Sequence, residues 1–391
     1  MNISVVSTMA GHAWGGSEEL WYQFVQYCQQ HGHHCKVAKK HWKNEPQKLQ
    51  LLQVSGVVFY YRKNTLLFVY KLIDFLGNRL FYNPMEGKLK LAGYLKFINP
   101  YTRLFTPDTD FMLISQGATY ELLDDVFLTY LIRKTKIPLF LICHGNSDFA
   151  KPYGFNFQEQ RKNFKLVSGC FFVSKRNLQT TERQLAMRLP NTAIAKNPVN
   201  LSDIQYQAYP ALKTPFLLVV LATYDTITKG QDVLLEVLSQ PKWKSRPYEL
   251  HLYGSGNDQM YLQELIHHFE LQDKVFLKGY RHTLDILKPA HLVILPSVSE
   301  GMPLVLVEAM LVGRPTVITH IAGMPELVQD GEHGFIAAAP KDVFLDEALE
   351  RAWQQQPSWE EMGKCARMQA LTYYEPQPAE ALLNQITEFL S

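Results

Sequence analysis

Two glutamates stand eight residues apart in residues 299–315, which read SEGMPLVLVEAMLVGRP. An apolar run, HLVILPS, precedes this stretch and is typical of a buried strand. Glu300 then falls on the loop between that strand and a helix, and Glu308 falls inside the helix. The free N–H groups and positive dipole end of a helix start favour a phosphate, and carboxylates beside it can accept hydrogen bonds from hydroxyls. The pair therefore suits a ligand that carries both sugar hydroxyls and phosphates.

The helix limits follow from the residues at its two ends. Pro303 suits the first helical position, where its missing N–H is not needed. Gly313, followed closely by Pro315, marks the end. The pattern predicts a helix from about residue 303 to 312. The alternative interpretation is that Glu300 only caps this helix and that Glu308 lies on its exposed face.

Short apolar runs along the chain predict the strands of two parallel sheets. The first set comprises residues 3–6, 56–60, 111–114, 138–143 and 169–173, and the second set comprises residues 216–222, 249–253, 274–277, 292–295 and 316–319. Helical stretches alternate with most of them, which indicates an α/β fold with the doubly wound pattern present twice. Residues 198–215 are rich in proline and polar residues and predict a linker. Two such domains facing each other would form a cleft at the carboxyl ends of their strands, where ligands bind in this class.

Length, charge and cysteine content narrow the class of protein. The chain has 391 residues, enough for two domains, and its net charge of +2 argues against a general nucleic-acid binder. The five cysteines are odd in number and form no CxxC pair, so neither a disulfide framework nor a zinc site is indicated. The first residues show no signal-peptide pattern and no apolar run is long enough to span a bilayer, so a cytoplasmic location is expected.

Residues 62–103 form an unusually basic and aromatic segment. It contains the basic residues Arg62, Lys63, Lys71, Arg79, Lys88, Lys90, Lys96 and Arg103 against only two acidic residues, Asp74 and Glu86. Eight phenylalanines and tyrosines are interleaved with these charges. Such a segment can bind peripherally to an anionic membrane surface. The alternative is a solvated helical insertion whose aromatic side chains pack inward.

The opening motif extends into a longer stretch, PSVSEGMPLVLVEAMLVGRPTVITHIAGMPELVQDGEHGF, which covers residues 296–335. This stretch resembles the nucleotide-sugar signature of the GT-B glycosyltransferases, in particular the retaining group 1 enzymes often called family 4. The resemblance implies that Glu300 contacts the donor sugar and takes part in catalysis, and that Glu308 binds the ribose hydroxyls. It also places four neighbours at the donor: Gly301, Met302, Pro303 and Leu304.

Upstream, LATYDTITKGQDVLLEVL resembles the phosphate loop of the same family. Lys229 matches the lysine that neutralises the diphosphate, which makes it a predicted catalytic and donor-binding residue; a solvated surface lysine is the alternative. The family usually has an arginine six residues earlier, where this chain has Thr223. Threonine brings a hydroxyl but no charge, so a bidentate phosphate clamp is missing at that position.

Two further stretches match the donor side of the family. In LYGSGND, Gly254 and Gly256 would allow close approach of the backbone to the donor. In LKGYRH, Arg281 would stack on or bond to the base, although a surface arginine is an equal alternative.

The first half of the chain contributes a glycine pair and a histidine. GHAWGGSEE follows the first strand, and the resemblance places Gly15 and Gly16 beside the donor phosphate and the acceptor, while Ser17 could cap the following helix. His144 in LICHGNSD ends an apolar strand, and a histidine at this place in the family lies by the reacting centre. A structural histidine is the alternative.

The resemblance implies a GT-B architecture with two Rossmann-like domains, residues 1–200 and 215–372, and a C-terminal helix within 373–391 that crosses back to the first. The implied reaction is a retaining, metal-independent transfer of a sugar from a nucleotide diphosphate donor, expected to be a UDP-sugar, to a hydroxyl acceptor. No other cofactor is expected. The acceptor could be a glycan, a lipid-linked sugar or a small molecule. Two alternatives are a nucleotide-sugar epimerase of the same fold and a non-catalytic protein that binds sugar nucleotides or glycans.

Overall fold

The computed structural model describes residues 1–11, 13–43, 45–62, 67–148, 151–152, 154–201 and 204–391. Lys63 of the basic segment and residues 202–203 of the predicted linker therefore lie outside the described residues. The chain divides into two units, one formed by residues 1–198 with 375–391 and the other by residues 199–374. No helix among the described residues is both long and apolar enough to cross a membrane.

The first unit is built on a parallel sheet of seven strands. These are β1 (Asn2–Ser7), β2 (His34–Lys40), β3 (Val58–Arg62), β4 (Phe111–Gln116), β5 (Leu139–Cys143), β6 (Gly169–Phe172) and β7 (Thr192–Ile194). Their order across the sheet is β3-β2-β1-β4-β5-β6-β7. The helices of this part of the chain are α1 (Gly16–Gln30), α2 (Lys48–Val54), α3 (Leu67–Leu80), α4 (Pro84–Tyr94), α5 (Val126–Ile132), α6 (Gly154–Leu166) and α7 (Lys175–Leu185).

The second unit repeats the design with a parallel sheet of six strands. These are β8 (Phe216–Leu221), β9 (Tyr248–Tyr253), β10 (Val275–Gly279), β11 (Leu292–Leu295), β12 (Thr316–Thr319) and β13 (Gly334–Ala337), in the order β10-β9-β8-β11-β12-β13. Its helices are α8 (Thr226–Lys229), α9 (Gln231–Leu238), α10 (Pro241–Lys244), α11 (Gln259–His268), α12 (Thr283–Leu287), α13 (Leu304–Val312), α14 (Asp342–Gln354) and α15 (Trp359–Tyr373). The predicted α/β fold class with two parallel sheets is confirmed.

The last helix, α16 (Pro378–Leu390), packs into the core of the first unit. Leu382 and Ile386 belong to the same apolar cluster as Leu20 and Phe24 of α1. Phe389 stacks on Phe171 of β6, with ring centroids 5.7 Å apart. The end of the chain is therefore part of the hydrophobic core of the first unit.

The helix predicted after Glu300 is present as α13, with small differences at its ends. It ends at Gly313, whose left-handed φ of 82° closes the helix as expected. Pro303 is the N-cap rather than the first helical residue, because its ψ of 128° is still extended. Residues 306–312 are all buried, so α13 lies inside the unit and has no polar outer face.

The segment predicted as a linker is held against the second unit by two arginines. The guanidinium of Arg314, which is fully buried, donates to the carbonyls of Gln207 (3.1 Å) and Ala208 (2.9 Å). Arg367 donates to the carbonyl of Ile204 at 2.6 Å. Because a buried guanidinium needs hydrogen-bond acceptors, the contacts of Arg314, together with that of Arg367, hold residues 204–208 in one path along the unit.

Candidate active site

The loops that follow the strands of the second sheet carry most of the predicted site residues. All strands of this sheet run parallel, so their carboxyl ends lie along one edge. Thr223 follows β8, Gly254 follows β9, Arg281 follows β10 and Glu300 follows β11. The structure therefore places four predicted donor residues on loops at one edge of the sheet.

Lys229 and Glu300 form an ion pair at this edge. The Nζ atom of Lys229, the last residue of α8, lies 2.6 Å from Oε1 of Glu300, and the two side chains are only 23% and 11% exposed. Ser297 donates its hydroxyl to the same oxygen at 2.9 Å. In the part of the chain described, Oε2 of Glu300 takes no hydrogen bond, and an ammonium has three N–H groups. The pair can thus still offer N–H donors to a phosphate and a carboxylate oxygen to a hydroxyl.

A glycine brings the two loops of this ion pair together. Gly230 has a φ of 62°, and a Cβ atom added to it would lie 2.2 Å from the carbonyl oxygen of Pro296. The carbonyl of Thr228 accepts hydrogen bonds from the N–H groups of Val298 (2.8 Å) and Ser299 (3.1 Å). Any side chain at position 230 would separate the loops after β8 and β11, so the Lys-Gly dipeptide fixes the distance from the ammonium to Glu300.

The start of α13 is fixed from the other side by the loop after β12. Thr319 donates its hydroxyl to the carbonyl of Ser297 at 2.6 Å, and the N–H of Gly323 donates to the carbonyl of Gly301 at 2.9 Å. Met302 is buried beneath the turn. Because the N-cap residue, Pro303, makes no side-chain cap, the first N–H groups of α13 are not engaged by it and suit an anionic ligand.

Glu308 is a buried carboxylate inside α13. Its side chain is only 3% exposed, and Oε1 accepts a hydrogen bond of 2.6 Å from the backbone N–H of Asn200. The alternative interpretation of Glu308 as an exposed surface residue is wrong, because α13 is buried on every side at this position. A carboxylate buried within an apolar helix requires hydrogen-bond donors, and Asn200 supplies one of them.

The structure shows why position 254 must be a glycine, which the sequence alone did not reveal. Its φ is 147°, and a Cβ atom there would lie 1.9 Å from the carbonyl oxygen of Ala222 in the loop after β8. The neighbouring Asp258 accepts hydrogen bonds from the N–H (2.7 Å) and hydroxyl (2.9 Å) of Thr226 at the start of α8. The loop after β9 therefore packs against the loop after β8 and holds the start of α8. Gly254 has this structural role whether or not a ligand approaches it.

Thr223 and Arg281 are exposed. The carbonyl of Thr223 accepts a hydrogen bond of 2.8 Å from the side chain of Gln231, so its backbone is fixed while its side chain is open to solvent. Arg281 follows the exposed Tyr280, and both residues lie just after β10.

His144 lies at the carboxyl end of β5 in the first unit. Its side chain is buried, its Nε2 atom lies 3.2 Å from the hydroxyl of Ser115 at the end of β4, and its Nδ1 atom has no partner among the described residues. Burial lowers the pKa of His144 to about 4, against a smaller raising effect of the nearby Asn197 side chain. The imidazole is therefore neutral at pH 7 and can donate one hydrogen bond and accept another.

The glycine pair lies where α1 begins. Gly15 is the N-cap and Gly16 the first helical residue, so Ser17 does not cap the helix. A buried carboxylate, Glu18, follows in the first turn and accepts the hydroxyl of Ser7 at 2.8 Å. Burial raises the pKa of Glu18. The first sheet thus ends in hydroxyl groups, a histidine and a buried acid.

Three residues that support the site were not predicted from the sequence. Ser297 orients Glu300, Asp258 holds the start of α8, and Asn200 binds Glu308 through its backbone. The sequence held a signal for two of them, because Asp258 lies two residues after Gly256 and Ser297 lies two residues after the end of β11. Asn200 acts only through its N–H, so its residue type carried no signal. Among the described residues, no group of three or more histidine, cysteine or acidic side chains is placed to hold a metal ion.

Part of the chain matches a known protein family. Residues 205–369 match the family model of the glycosyl transferases group 1. The glycosyltransferase WcaL of Salmonella typhimurium, assigned to colanic acid biosynthesis, is 29% identical over 153 residues, which are 37% of this chain and 37% of that protein. The poly(ribitol-phosphate) alpha-N-acetylglucosaminyltransferase of Staphylococcus aureus is 33% identical over 111 residues, 28% of this chain and 22% of that protein. The matches thus span well under half the length of either relative.

Solved structures extend the similarity to the whole fold. HepE from Anabaena in complex with UDP superposes with a TM-score of 0.68 at 18% identity and covers 100% of this chain and 99% of its own. A mutant of S. aureus TarM in complex with Fondaparinux, alpha-GlcNAc-glycerol and UDP gives 0.69 at 14% identity, with 99% of each chain covered. These identities establish the fold alone, which is GT-B. The predicted GT-B fold and the resemblance to group 1 glycosyltransferases are confirmed.

Proposed function

We propose that this chain, which carries a group 1 glycosyl transferase domain in residues 205–369 and has the GT-B fold, transfers a sugar from a nucleotide diphosphate donor to a hydroxyl acceptor. The observation that carries the proposal is the Lys229–Glu300 ion pair beside the start of α13. It combines a cation, helix N–H groups and a carboxylate at one edge of a parallel sheet. Phosphate and sugar hydroxyls are the groups that such a combination binds.

The donor would lie along the loops of the second sheet. The ammonium of Lys229 and the first N–H groups of α13 would neutralise the diphosphate, and Oε2 of Glu300 would accept a hydrogen bond from a sugar hydroxyl. Glu308 would accept the ribose hydroxyls while keeping its bond to Asn200. Thr223 contributes no charge, so the diphosphate depends more heavily on Lys229 than it would with an arginine at that position.

In the first unit, His144 would hydrogen-bond the reacting sugar. Its lowered pKa keeps it neutral, so it would orient the sugar rather than neutralise phosphate charge. Gly15 and Gly16 would border the phosphate and the acceptor at the start of α1.

We propose a retaining reaction in which no enzyme carboxylate attacks the sugar. The bond from the anomeric carbon to the leaving phosphate oxygen breaks, and a bond to the acceptor oxygen forms on the same face. The acceptor's proton passes to the leaving diphosphate, whose growing negative charge is stabilised by Lys229 and the helix N–H groups. This step needs no metal ion, because the cation and the backbone donors take the place of one.

The donor is proposed to be a UDP-sugar. HepE and TarM, which share the fold, have been crystallised with UDP, and HepE also with UDP-glucose. The acceptor is proposed to be a hydroxyl of a glycan, a lipid-linked sugar or a small molecule, and the reaction to take place in the cytoplasm. The names of the relatives favour transfer over the epimerase and over the non-catalytic binder.

An incubation with UDP-, GDP-, ADP- and TDP-sugars tests the proposal. Free nucleoside diphosphate should appear with one donor class, first by slow hydrolysis and faster when an acceptor is added. A changed sugar on an intact donor would indicate the epimerase, and tight binding without turnover would indicate the binder. Lys242→Ala is a matched control, because Lys242 lies on α10 and pairs with Asp346 away from the proposed site. It should leave nucleotide release unchanged.

A further inference from the structure

Helix α3 has an outer face that is apolar where a surface helix is normally polar. Its inward side is marked by Ile73, which is buried, and by Gly77, where α4 approaches so closely that a Cβ atom would lie 2.4 Å from the side chain of Lys88. At 100° per residue, positions 68, 72 and 75 fall on the opposite side. Phe68 is 75%, Leu72 40% and Phe75 56% exposed. Single exposed apolar side chains are common, but a contiguous row of large ones usually marks an interaction site.

Basic residues flank this apolar row. Lys71 and Arg79 lie on the same outer side of α3 by their helical spacing, and both are exposed. The guanidinium of Arg79 lies 5.8 Å from the ring centroid of Phe75. The outer face of α3, formed by Phe68, Lys71, Leu72, Phe75 and Arg79, therefore combines aromatic and cationic groups.

The next part of the chain exposes a second aromatic and basic group. Tyr94, at the end of α4, is 80% exposed, and Phe97 is 79% exposed. Lys96 lies between them in sequence and is also exposed. The alternative that the aromatic residues of the basic segment pack inward therefore does not hold for Phe68, Phe75, Tyr94 and Phe97.

In the structure, some cations of residues 62–103 pair with carboxylates, and others are exposed without such a pair. Arg62 is largely buried and pairs with Asp125 at 3.3 Å, so it belongs to the interior of the first unit. Lys88 pairs with Asp74 and Lys90 with Glu86. Within the described residues, four exposed cations form no ion pair with a carboxylate: Lys71, Arg79, Lys96 and Arg103. Both acids of the segment are thus already paired, and the exposed surplus is purely positive.

We propose that the outer face of α3 docks on the surface of an anionic lipid bilayer. Aromatic and leucine side chains would enter the headgroup layer, and Lys71 and Arg79 would contact lipid phosphates. A bilayer is the occupant that fits best, because the face offers apolar groups and positive charge but no free acidic group for a mixed-charge protein partner. This inference does not depend on the reaction proposed above.

Co-sedimentation of the full chain with vesicles tests this surface. We expect binding to vesicles of phosphatidylcholine and phosphatidylglycerol, little binding to phosphatidylcholine alone, and loss of binding as salt rises. Each basic residue near such a surface raises the partition coefficient about fivefold. The variant K71E/R79E should therefore lower the partition coefficient at least 25-fold, if each charge reversal counts as roughly the loss of one basic residue. F68S/F75S should lower it about tenfold or more through lost apolar contact.

Matched controls make the result specific. K134E/K136E makes the same change in net charge at two exposed lysines elsewhere in the first unit, and Val54→Ser removes a highly exposed apolar side chain from α2. Both should bind vesicles as the unaltered chain does, with circular dichroism unchanged throughout. Equal loss in K134E/K136E would overturn the proposal in favour of non-specific charge attraction. No binding to anionic vesicles at low salt would also overturn it. A third outcome would overturn it as well: if the unaltered chain is a dimer, and F68S/F75S makes it a monomer without changing vesicle binding, then the outer face of α3 contacts a second copy of the chain and not a bilayer.

UDP binding, measured in parallel by calorimetry, distinguishes this proposal from the proposed function. The vesicle result can fail while UDP still binds, and UDP binding can fail while vesicles still bind. Each outcome therefore bears on one proposal only.

Discussion

The two sheets end in chemically different edges. The second sheet ends in charged groups, namely the Lys229–Glu300 ion pair and the buried carboxylate of Glu308. At the ends of β4 and β5, the first sheet places a neutral imidazole, His144, against the hydroxyl of Ser115, and its buried acid, Glu18, is bound to Ser7 at the end of β1. Charged groups suit the recognition and stabilisation of a leaving diphosphate, whereas a neutral imidazole suits the orientation of a sugar. We therefore expect variants at the two edges to fail in different ways.

The largest expected effect is at the ammonium of the second edge. Lys229→Ala should lower turnover by about a hundredfold or more, because one preorganised charge stabiliser is lost while the leaving diphosphate gains charge. Steady-state nucleotide release measures it, with Lys242→Ala as the control for loss of a lysine. Turnover within a few-fold of the unaltered enzyme would remove Lys229 from the reaction and leave the ion pair with a structural role only.

Glu308 should affect donor binding rather than the chemical step. Glu308→Ala should weaken donor binding by about 1.5–3 kcal/mol, the contribution of hydrogen bonds to a charged acceptor. Glu308→Gln keeps an oxygen for the N–H of Asn200, so it separates ribose binding from support of the fold. Calorimetric titration of the donor should show weaker binding in both variants, with normal thermal stability in Glu308→Gln. Unchanged affinity in Glu308→Ala would place the ribose elsewhere.

Protonation of His144 should make the free energy of unfolding depend on pH. Its pKa is lowered to about 4 in the folded chain, so between pH 6.5 and 4 the unfolded chain binds a proton that the folded chain does not. Stability must then fall as pH falls through this window, by roughly 2 kcal/mol between about pH 7 and about pH 5. Urea unfolding should show that loss in the unaltered chain and a smaller one in His144→Asn. Equal losses in both chains would mean that His144 is not held neutral by burial.

The smallest effect is expected at Thr223. Its side chain is exposed, so Thr223→Arg should fold normally and bring a second cation towards the phosphates. Donor binding should tighten by about fivefold at most, the scale of one exposed charge pair. Calorimetry with UDP measures the change. Loss of binding would show that another group already uses that space when the donor is bound.

The sequence predicted those parts of the fold whose signals are local. The apolar runs gave the central strands of both sheets, and Gly313 correctly marked the end of α13. Strand β2 was not predicted, because its lysines make the segment look like an exposed one. In the structure Lys39 is almost fully buried, and its Nζ atom lies 2.6 Å from the carboxylate of Glu45, which compensates its charge. The sequence pattern also missed β7 and β13, which have only three and four residues and therefore too few positions to show a period.

The site was predicted as a set of residue types and not as a geometry. Lys229 and Glu300 are 71 positions apart, and their contact depends on Gly230 meeting the loop after β11. Asn200 and Glu308 are 108 positions apart, and a backbone N–H leaves no trace in residue type. Contacts between distant loops are fixed by the packing of the whole sheet, which no local pattern contains.

One measurement tests most directly that the edge of the second sheet binds a nucleotide diphosphate. Met302 lies buried at the start of α13, and its methyl resonance can be followed after ¹³C-methyl labelling of methionine and assigned with Met302→Leu. Titration with UDP should shift this resonance in a saturable way, and Lys229→Ala should weaken the response. Met112, buried in the sheet of the first unit, serves as the reference. A Met302 resonance that stays unchanged at saturating UDP would contradict the account.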